Sequence, residues 1–158
     1  MTQQVLGGAG IGYHLESTFA LAYNRGGAVT KGQVRMLDME VSEATVGTYD
    51  TTGASVWNNM VPVTTAGLDY AYFAVATEDI ADDALGKWQF KGLVEECEVT
   101  DASTTIGDRL QAVNADTHLT NTLTAGAKII GIAMEVWTAS PAANGRVAFD
   151  GINGFGVT

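Results

Sequence analysis

The feature that most constrains this sequence is a short phrase that occurs twice. The chain reads "GKWQFKG" at residues 86–92 and "GRVAFDG" at residues 145–151, which lie 59 positions further on. Glycine-rich turns can bind phosphate through their backbone N–H groups, but such a site needs a helix directly after the turn. Neither copy precedes a segment with helical periodicity. The phrase is therefore interpreted as a structural corner, with Gly92 and Gly151 at the bends of two equivalent strands.

The repeat extends well beyond this phrase. Residues 65–93 align with residues 124–152 without a gap. Each half also contains an earlier Thr-x-Gly, in "TKGQVRML" and "TIGDRLQAV", where glycine can supply the positive φ of a turn before a strand. A regular internal period indicates a duplicated supersecondary unit. We predict pseudo-equivalent β-units at residues 30–93 and 105–152.

Several segments alternate apolar and polar residues as β-strands do. In "STFALAYN" the side chains of Phe19, Leu21 and Tyr23 share one face, and in "WQFKGLVE" Trp88 and Phe90 share one face. The segment "IIGIAMEVW" is nearly all apolar, as expected for a strand that is covered on both sides. Short strands separated by Gly, Thr and Asn turns are typical of β-barrels and β-sandwiches.

We therefore predict a mainly β fold with little helix. A single β-barrel or β-sandwich domain, residues 26–158, would contain the internal duplication and follow an extended N-terminal arm, residues 1–25. Phe90 and Phe149 match in the alignment, and we expect them to be buried at related positions.

One segment of the second unit is ambiguous. Ile106, Leu110 and Val113 have the spacing of one helical face. The Thr-x-Gly that begins this segment favours a strand, by analogy with the first unit.

The composition limits the classes of partner. The 158 residues carry a net charge of −10 with only eight Lys and Arg, so the cationic footprint of a nucleic-acid-binding protein is missing. Hydrophobic residues make up 46% of the chain, enough for a core, but only 16% of residues are charged, which suggests that part of the surface is covered. Cys97 is the only cysteine, so no intrachain disulfide or Cys-x-x-Cys metal pair is possible. No signal segment or apolar run of membrane-spanning length is visible, and we expect no membrane partner and synthesis in the cytoplasm.

No group of residues has the spacing of a known catalytic motif. His14 and His118 are the only histidines, and they are interpreted as surface or turn residues. The turn after one repeat strand contains four carboxylates, Glu78, Asp79, Asp82 and Asp83. The spacing of a calcium loop is absent, and the matching turn "VWTASPAANG" has no carboxylate. We predict a solvated turn and a protein that is not an enzyme, with no catalytic, cofactor or metal site.

Two segments are candidate contact surfaces. The arm "TQQVLGGAGIGYH" is uncharged up to its histidine and rich in glycine, so it could become ordered against a partner. The first unit has 16 more residues than the second between its two Thr-x-Gly turns (35 positions against 19), within "EVSEATVGTYDTTGASVWNNMVPV". Trp, Tyr and Met are enriched at interface cores, although these side chains could equally pack on their own barrel. The predicted interface residues are Val5, Leu6, Ile11, Tyr13, Tyr49, Trp57 and Met60.

Three segments, "GGAVTKGQVRMLD", "FAVATEDIADDALGKWQFKGLVE" and "TIGDRLQAV…TAGAKIIGIAMEVWTASPAANGRVAFDG", together have a distinctive layout. This order of Thr-x-Gly turn, strand, and Ala/Gly turn into a final strand resembles the small β-rich decoration (cement) proteins of tailed-phage heads. The resemblance covers residues 26–151, and the first 25 residues and the insertion at 40–63 lie outside it.

The resemblance implies a non-enzymatic virion structural protein that binds the outer surface of a phage capsid and stabilises it. The implied partners are the major capsid protein and sister copies of the chain, usually in trimers. The implied location is the capsid exterior, after assembly in the host cytoplasm, and no cofactor or catalytic residue carries over. The predicted interface residues would then contact the shell or a sister subunit. A ligand-binding β-module, such as a phage fibre or carbohydrate-binding domain, is the alternative, because exposed Trp and Tyr in the insertion would also stack on sugars.

Overall fold

The computed structural model describes residues 16–38, 59–100, 103–137 and 143–157, and the regular secondary structure of these residues is almost entirely β-strand. Helix in this part of the chain is limited to one 3-10 turn, Thr65–Leu68. The prediction of a mainly β fold with little helix is therefore confirmed. In chain order the strands are β1 Thr18–Asn24, β2 Val34–Leu37, β3 Asn59–Val61, β4 Phe73–Ala76, β5 Leu85–Val99, β6 Arg109–Ala112, β7 Leu119–Thr120, β8 Gly131–Ala133 and β9 Ala143–Asp150.

These strands form one sheet that closes on itself twice. The first barrel consists of β1, β3, β2, β4 and the N-terminal half of β5, which pairs back with β1. The second barrel consists of the C-terminal half of β5, then β7, β6, β8 and β9, which pairs back with β5. Because the 15-residue β5 belongs to both barrels, they are joined by a shared strand and not by a linker. Closure pairs strands that would otherwise be sheet edges.

The two barrels repeat each other in their strand register. β2 corresponds to β6 at an offset of 75 residues. β1 corresponds to the C-terminal half of β5 at an offset of 74 for Phe19 and Ala20 and of 75 from Ala22 on, as in Ala22 to Cys97, because β5 has a bulge between Val94 and Cys97. β3 and the N-terminal half of β5 correspond to β7 and β9 at an offset of 59, as in Gly86 to Gly145. β4 corresponds to β8 at an offset of 57. Each pair of neighbouring strands in the first repeat (residues 18–91) thus has a counterpart in the second repeat (residues 93–150), so the internal duplication is a property of the fold.

The same turn precedes the second strand of each repeat. The residue after the glycine donates its N–H to the carbonyl of the threonine, at 3.2 Å for Thr30 and 3.1 Å for Thr105. Gly32 and Gly107 have φ angles of +92° and +94°, a region that favours glycine because it has no Cβ. Gly32 also donates its N–H to the Ala76 carbonyl of β4, and Gly107 donates its N–H to the Ala133 carbonyl of β8, both at 2.9 Å. The Thr-x-Gly of the sequence therefore specifies a tight turn that is tied into its own barrel.

Large side chains fill the interior of each barrel. In the first barrel Trp88 packs with Met60 and Phe90, and its Nε1 donates to the Ala22 carbonyl at 3.1 Å. In the second barrel Phe149 belongs to a cluster that also includes the outer faces of β2 and β4, so the two barrels share a hydrophobic contact. Phe90 is 8% exposed and Phe149 is fully buried, at positions related by the repeat. Their predicted burial at equivalent sites is confirmed.

The predicted boundary of the N-terminal arm is wrong. The described part of the predicted arm (residues 1–25) contains β1, Thr18–Asn24, which pairs along β5. The reason is that β1 closes the first barrel, so it is the first strand of the repeat and not a preceding segment. The repeats therefore begin one strand earlier than the predicted units.

The ungapped alignment also fails at one strand. It placed Phe73 over Ile132, whereas the register places Phe73 over Ile130. The connection from β8 to β9 is two residues longer than the connection from β4 to β5, so the alignment needs a gap there. The ungapped alignment also places Ala74 over Ala133, whereas the register places Ala74 over Gly131. The identity of those two alanines therefore reflects only the high alanine content of the chain.

The ambiguous segment of the second repeat is a strand, β6, as its Thr-x-Gly start indicated. The segment "IIGIAMEVW" forms a shorter strand than expected, because β8 covers only Gly131–Ala133. Ile129 instead donates its N–H to the Gly156 carbonyl at 2.8 Å, and Trp137 joins the sheet through a single bridge to Thr104.

Candidate binding surfaces

Six of the seven predicted interface residues lie outside the described residues: Val5, Leu6, Ile11, Tyr13, Tyr49 and Trp57. The seventh, Met60, lies in β3 and is fully buried. Its prediction as an interface residue is wrong, because β3 sits between β1 and β2 and Met60 belongs to the same core cluster as Trp88. Met60 packs on its own barrel.

The acidic turn after β4 binds groups of its own fold. Three of its carboxylates accept backbone N–H groups at 2.9 to 3.0 Å, and the fourth, Asp83, lies 2.5 Å from Arg25 Nη1. The N–H of Gly27 is the main cause of a lowered pKa for the Asp82 carboxyl. The four carboxylates therefore stabilise the conformation of the loop and of the segments that it contacts. Within the described ranges, no group of three His, Cys, Asp or Glu is arranged to hold a metal ion.

The described histidine and cysteine, which are the remaining candidates for reaction chemistry, lie in different environments. His118 Nδ1 lies 2.7 Å from Asp116 Oδ1, and His14 lies outside the described residues. Cys97 is fully buried in the core of the second barrel, and burial raises the pKa of its thiol. A thiol in that position is protonated and closed to substrates.

Exposed apolar side chains gather on the outside of the first barrel, where β1 pairs with β5. We call Phe19, Leu21 and Leu85 the Leu21 face; their exposed fractions are 45%, 61% and 52%. Lys87 is opposite Leu21 in the strand pairing, and its Nζ lies 4.4 Å from the centre of the Phe19 ring. The face is thus apolar with one cation at its side.

The second repeat is polar at two of the three corresponding positions, and Phe19 has the apolar counterpart Leu93. Leu21 corresponds to Glu96 and Leu85 corresponds to Asn144. Because the same architecture forms with polar residues at these places, the fold does not require leucines there. The Leu21 face is therefore a candidate contact surface. Sequence reasoning missed it, although the alternation of "STFALAYN", compared with its acidic counterpart "VEECEV", was the signal that could have found it.

A second surface surrounds Lys128. We call Tyr70, Tyr72, Lys128, Phe155 and Val157 the Lys128 patch. The four apolar members are 39% to 65% exposed. Val157 forms a bridge with Lys128, whose Nζ lies 5.6 Å from the centre of the Tyr72 ring. The Tyr72 ring therefore faces the cation, Phe155 is held nearby because it donates its N–H to the Ile129 carbonyl at 2.7 Å, and Tyr70 precedes Ala71, whose carbonyl accepts from Lys128 Nζ.

The Lys128 ammonium is held in a fixed position. Its Nζ donates to the carbonyls of Ala71 at 2.9 Å and Ile152 at 3.2 Å. Burial lowers the pKa of Lys128, and the carboxylates of Asp150 and Asp69 oppose that effect. Both carbonyls belong to segments that flank the patch, so the cation ties those segments together. No sequence pattern marked this patch, because its members come from three distant segments.

A shallow groove of about 510 Å³ lies beside β6 and β7. Its described lining is rich in threonine and includes Gln111 and Asn114, with no Trp, Tyr or Phe. Gln111 donates to Thr124 Oγ1 at 3.0 Å and accepts from the Thr124 N–H at 2.9 Å. These polar groups bond to one another, and the only ring in the described lining is the imidazole of His118, whose Nδ1 lies 2.7 Å from Asp116 Oδ1. The groove is therefore a poor sugar site.

Comparison of the sequence with known protein families and with curated proteins found no significant match. No helix in the described ranges has the length and apolar character needed to cross a bilayer.

Proposed function

We propose that this chain is a non-enzymatic virion structural protein that binds the outer surface of a phage capsid and stabilises it. The observation that carries the proposal is the Lys128 patch, in which the exposed Tyr72 ring faces a fixed cation and the exposed Tyr70 and Phe155 lie on the neighbouring segments. Exposed aromatic residues are the typical anchors of protein interfaces. The resemblance of the sequence to phage-head decoration proteins supports the same function.

The patch is suited to binding without a large ordering cost. Two backbone carbonyls already hold the Lys128 ammonium, and the backbone of Val157 forms a β-bridge with that of Lys128. Preorganised contacts lose less conformational entropy when a partner binds. A decoration protein acts by mass action, because contacts that exist only on the assembled shell add free energy to that shell, and many copies multiply weak contacts.

The proposed partners are the major capsid protein and sister copies of the chain, with a trimer as the favoured oligomer. The predicted arm supplies a second proposed contact through Val5, Leu6, Ile11 and Tyr13. A chain that lacks residues 1–13 is expected to fold normally, because β1 starts later, at Thr18. We expect this deletion to lower occupancy on phage heads and the resistance of those heads to heat. Undiminished occupancy would remove the arm from the proposal and leave the Lys128 patch.

The central experiment uses particles of the phage whose genome encodes the chain. Heads that lack the protein are mixed with purified wild-type chain, sedimented, and assayed for bound protein and for the temperature at which they open. We expect saturable binding and a higher opening temperature. The double variant Tyr72→Ala/Phe155→Ala should bind at least about tenfold more weakly. Leu123→Ala, which alters a residue as exposed as Tyr72 (39%) outside the patch, is the matched control.

The alternative, a ligand-binding β-module, is favoured by the same tyrosines, because exposed rings can stack on sugars. Retention of the wild-type chain on immobilised glycans, lost in Tyr72→Ala/Phe155→Ala and kept in Leu123→Ala, would support it. Absence of binding to heads together with such retention would overturn the capsid proposal.

A further inference from the structure

The two repeats contact each other where a turn of the first repeat packs against a strand of the second. The first Thr-x-Gly turn contacts the C-terminal half of β5, and Glu98 N donates to the Gly32 carbonyl at 2.9 Å. Beside this bond Lys31 Nζ lies 2.8 Å from Glu96 Oε2. The approach is close, because a Cβ added at Gly32 would lie 2.8 Å from the Glu96 carbonyl oxygen and 3.1 Å from Asn144 Oδ1. We call this the turn contact.

The second repeat builds the same turn, at residues 105–108, but the described chain does not cover it. Gly107 has the same φ as its counterpart, yet a Cβ added there would meet no atom within 4 Å. Ile106, which corresponds to Lys31, is 66% exposed. Val136 corresponds to Asp79, whose carboxylate holds the N–H of Lys31 in the first repeat, and is 59% exposed. The second turn is therefore fully formed, is not covered by any part of the chain that the structure describes, and exposes the apolar side chain of Ile106 at its tip.

The first repeat presents the other half of the same contact, which the described residues also leave exposed. Leu21 corresponds to Glu96, which forms the ion pair with Lys31. Leu85 corresponds to Asn144, whose Oδ1 lies beside Gly32 of the turn. Both leucines are more than half exposed. Among the described residues, the second repeat thus carries a turn without a strand face against it, and the first repeat carries the corresponding strand face without a turn.

The two free halves match in chemistry. Within the chain the turn contact uses an ion pair, Lys31 with Glu96. At the free ends the corresponding residues are Ile106 and Leu21, so both sides have changed from charged to apolar together. We propose that the 105–108 turn of one copy docks on the Leu21 face of a second copy and repeats the turn contact between molecules.

A second copy is the occupant that the structure favours, because one chain already carries both halves and already contains an example of the contact. Such an interface is heterologous, joining different patches of the two copies, so it closes into a ring or continues as a filament. Each copy has a net charge of −10, so copies repel one another at low ionic strength. Association through apolar residues should therefore strengthen as salt screens that repulsion.

The test is sedimentation velocity of the full chain from about 1 to 100 µM at low and high salt, a range that brackets micromolar dissociation constants. We expect concentration-dependent oligomers that increase with salt. Ile106→Asp and Leu21→Asp should each weaken association by about tenfold or more, because each leaves a carboxylate in the contact. Leu123→Asp, at an exposed residue (39%) outside both halves of the contact and outside the Lys128 patch, is the matched control and should associate like the wild type.

Two further variants define the geometry. A mixture of Ile106→Asp and Leu21→Asp chains should form heterodimers, since each chain keeps one intact half, although neither chain associates alone. The double variant Ile106→Lys/Leu21→Glu copies the Lys31–Glu96 pair and should restore association that weakens with salt, opposite to the wild type. Circular dichroism melting curves check that all variants are folded, which is expected because the altered residues are exposed.

A wild-type chain that remains a monomer throughout this range would overturn the inference. Undiminished association of Ile106→Asp would also overturn it, because the Leu21 face would then bind itself or another surface. Loss of association in Leu123→Asp would mean that any added surface carboxylate disrupts association, and it would overturn the inference as well. These measurements need no phage particles, so their outcome is separate from that of the proposed capsid binding.

Discussion

Ile80 and Trp137 occupy the same position in the two repeats. Each forms an isolated antiparallel bridge to the segment just before its Thr-x-Gly turn. Each side chain also lies directly on a glycine of the last strand of its repeat, Gly86 for Ile80 and Gly145 for Trp137. A Cβ at either glycine would overlap the covering side chain. The repeated glycine is thus explained by close packing of a large side chain.

Gly86→Ala and Gly145→Ala should both destabilise the fold. The added methyl group forces Ile80 or Trp137 to move, and overpacking of this kind costs about 1–3 kcal/mol. Urea unfolding monitored by tryptophan fluorescence measures the loss. In Gly86→Ala/Ile80→Ala the clash is absent, so the combined loss should be smaller than the sum of the two single losses. Additive losses would contradict the contact.

Arg35 is the charged counterpart of Leu110 inside the first barrel, and it is 5% exposed. Burial lowers the pKa of its guanidinium, and the Asp82 carboxylate opposes this effect. Because the second barrel uses leucine here, Arg35→Leu should leave the free energy of unfolding within about 1 kcal/mol of the wild type or raise it. Arg35→Ala should lower it, because the space is left empty. A larger loss for leucine than for alanine would be the contrary result.

Cys97 should be unreactive in the folded protein. It is fully buried, and burial raises the pKa of its thiol, so the reactive thiolate is scarce as well as inaccessible. At pH 8 its reaction with a thiol reagent should be more than about a thousandfold slower than in urea, because labelling requires unfolding. Fast labelling without denaturant would show that the core of the second barrel opens locally.

Asp150 should make stability sensitive to acid. Burial acts to raise the pKa of this carboxyl, but backbone N–H groups of Asn153 at 2.9 Å and Ile152 at 3.2 Å, with Lys91 Nζ at 3.1 Å, lower it overall. A folded-state pKa below the unfolded value of about 3.9 means that the stabilisation is present above that value. It is lost as the pH falls through the folded-state pKa.

Asp150→Asn should therefore be less stable than the wild type at pH 7, and the difference should shrink below about pH 4. Thermal unfolding midpoints between neutral and acidic pH measure this difference. Asp69→Asn, at an exposed carboxylate, serves as the control. A difference that is constant with pH would mean that the hydrogen bonds of Asp150 do not depend on its charge.

The mainly β fold and its duplication could be predicted because their signals are local. A Thr-x-Gly turn needs glycine at one residue, and Phe90 and Phe149 lie in glycine-bounded phrases of the same length. The membership of β5 in both barrels could not be predicted, because it depends on which distant strands pair with each half. The two-residue gap at β8 was hidden for a related reason, since register is decided by hydrogen bonds across the sheet.

The candidate surfaces divide in the same way. The sequence by itself determined that Phe19 and Leu21 share one face of a strand, because side chains alternate along β1. Only the tertiary structure decided that this face points outward. Trp88, with Met60 and Phe90, fills the first barrel, so β1 contributes only the small Ala22 and the polar Asn24 to the interior, and Phe19 and Leu21 are left in solvent.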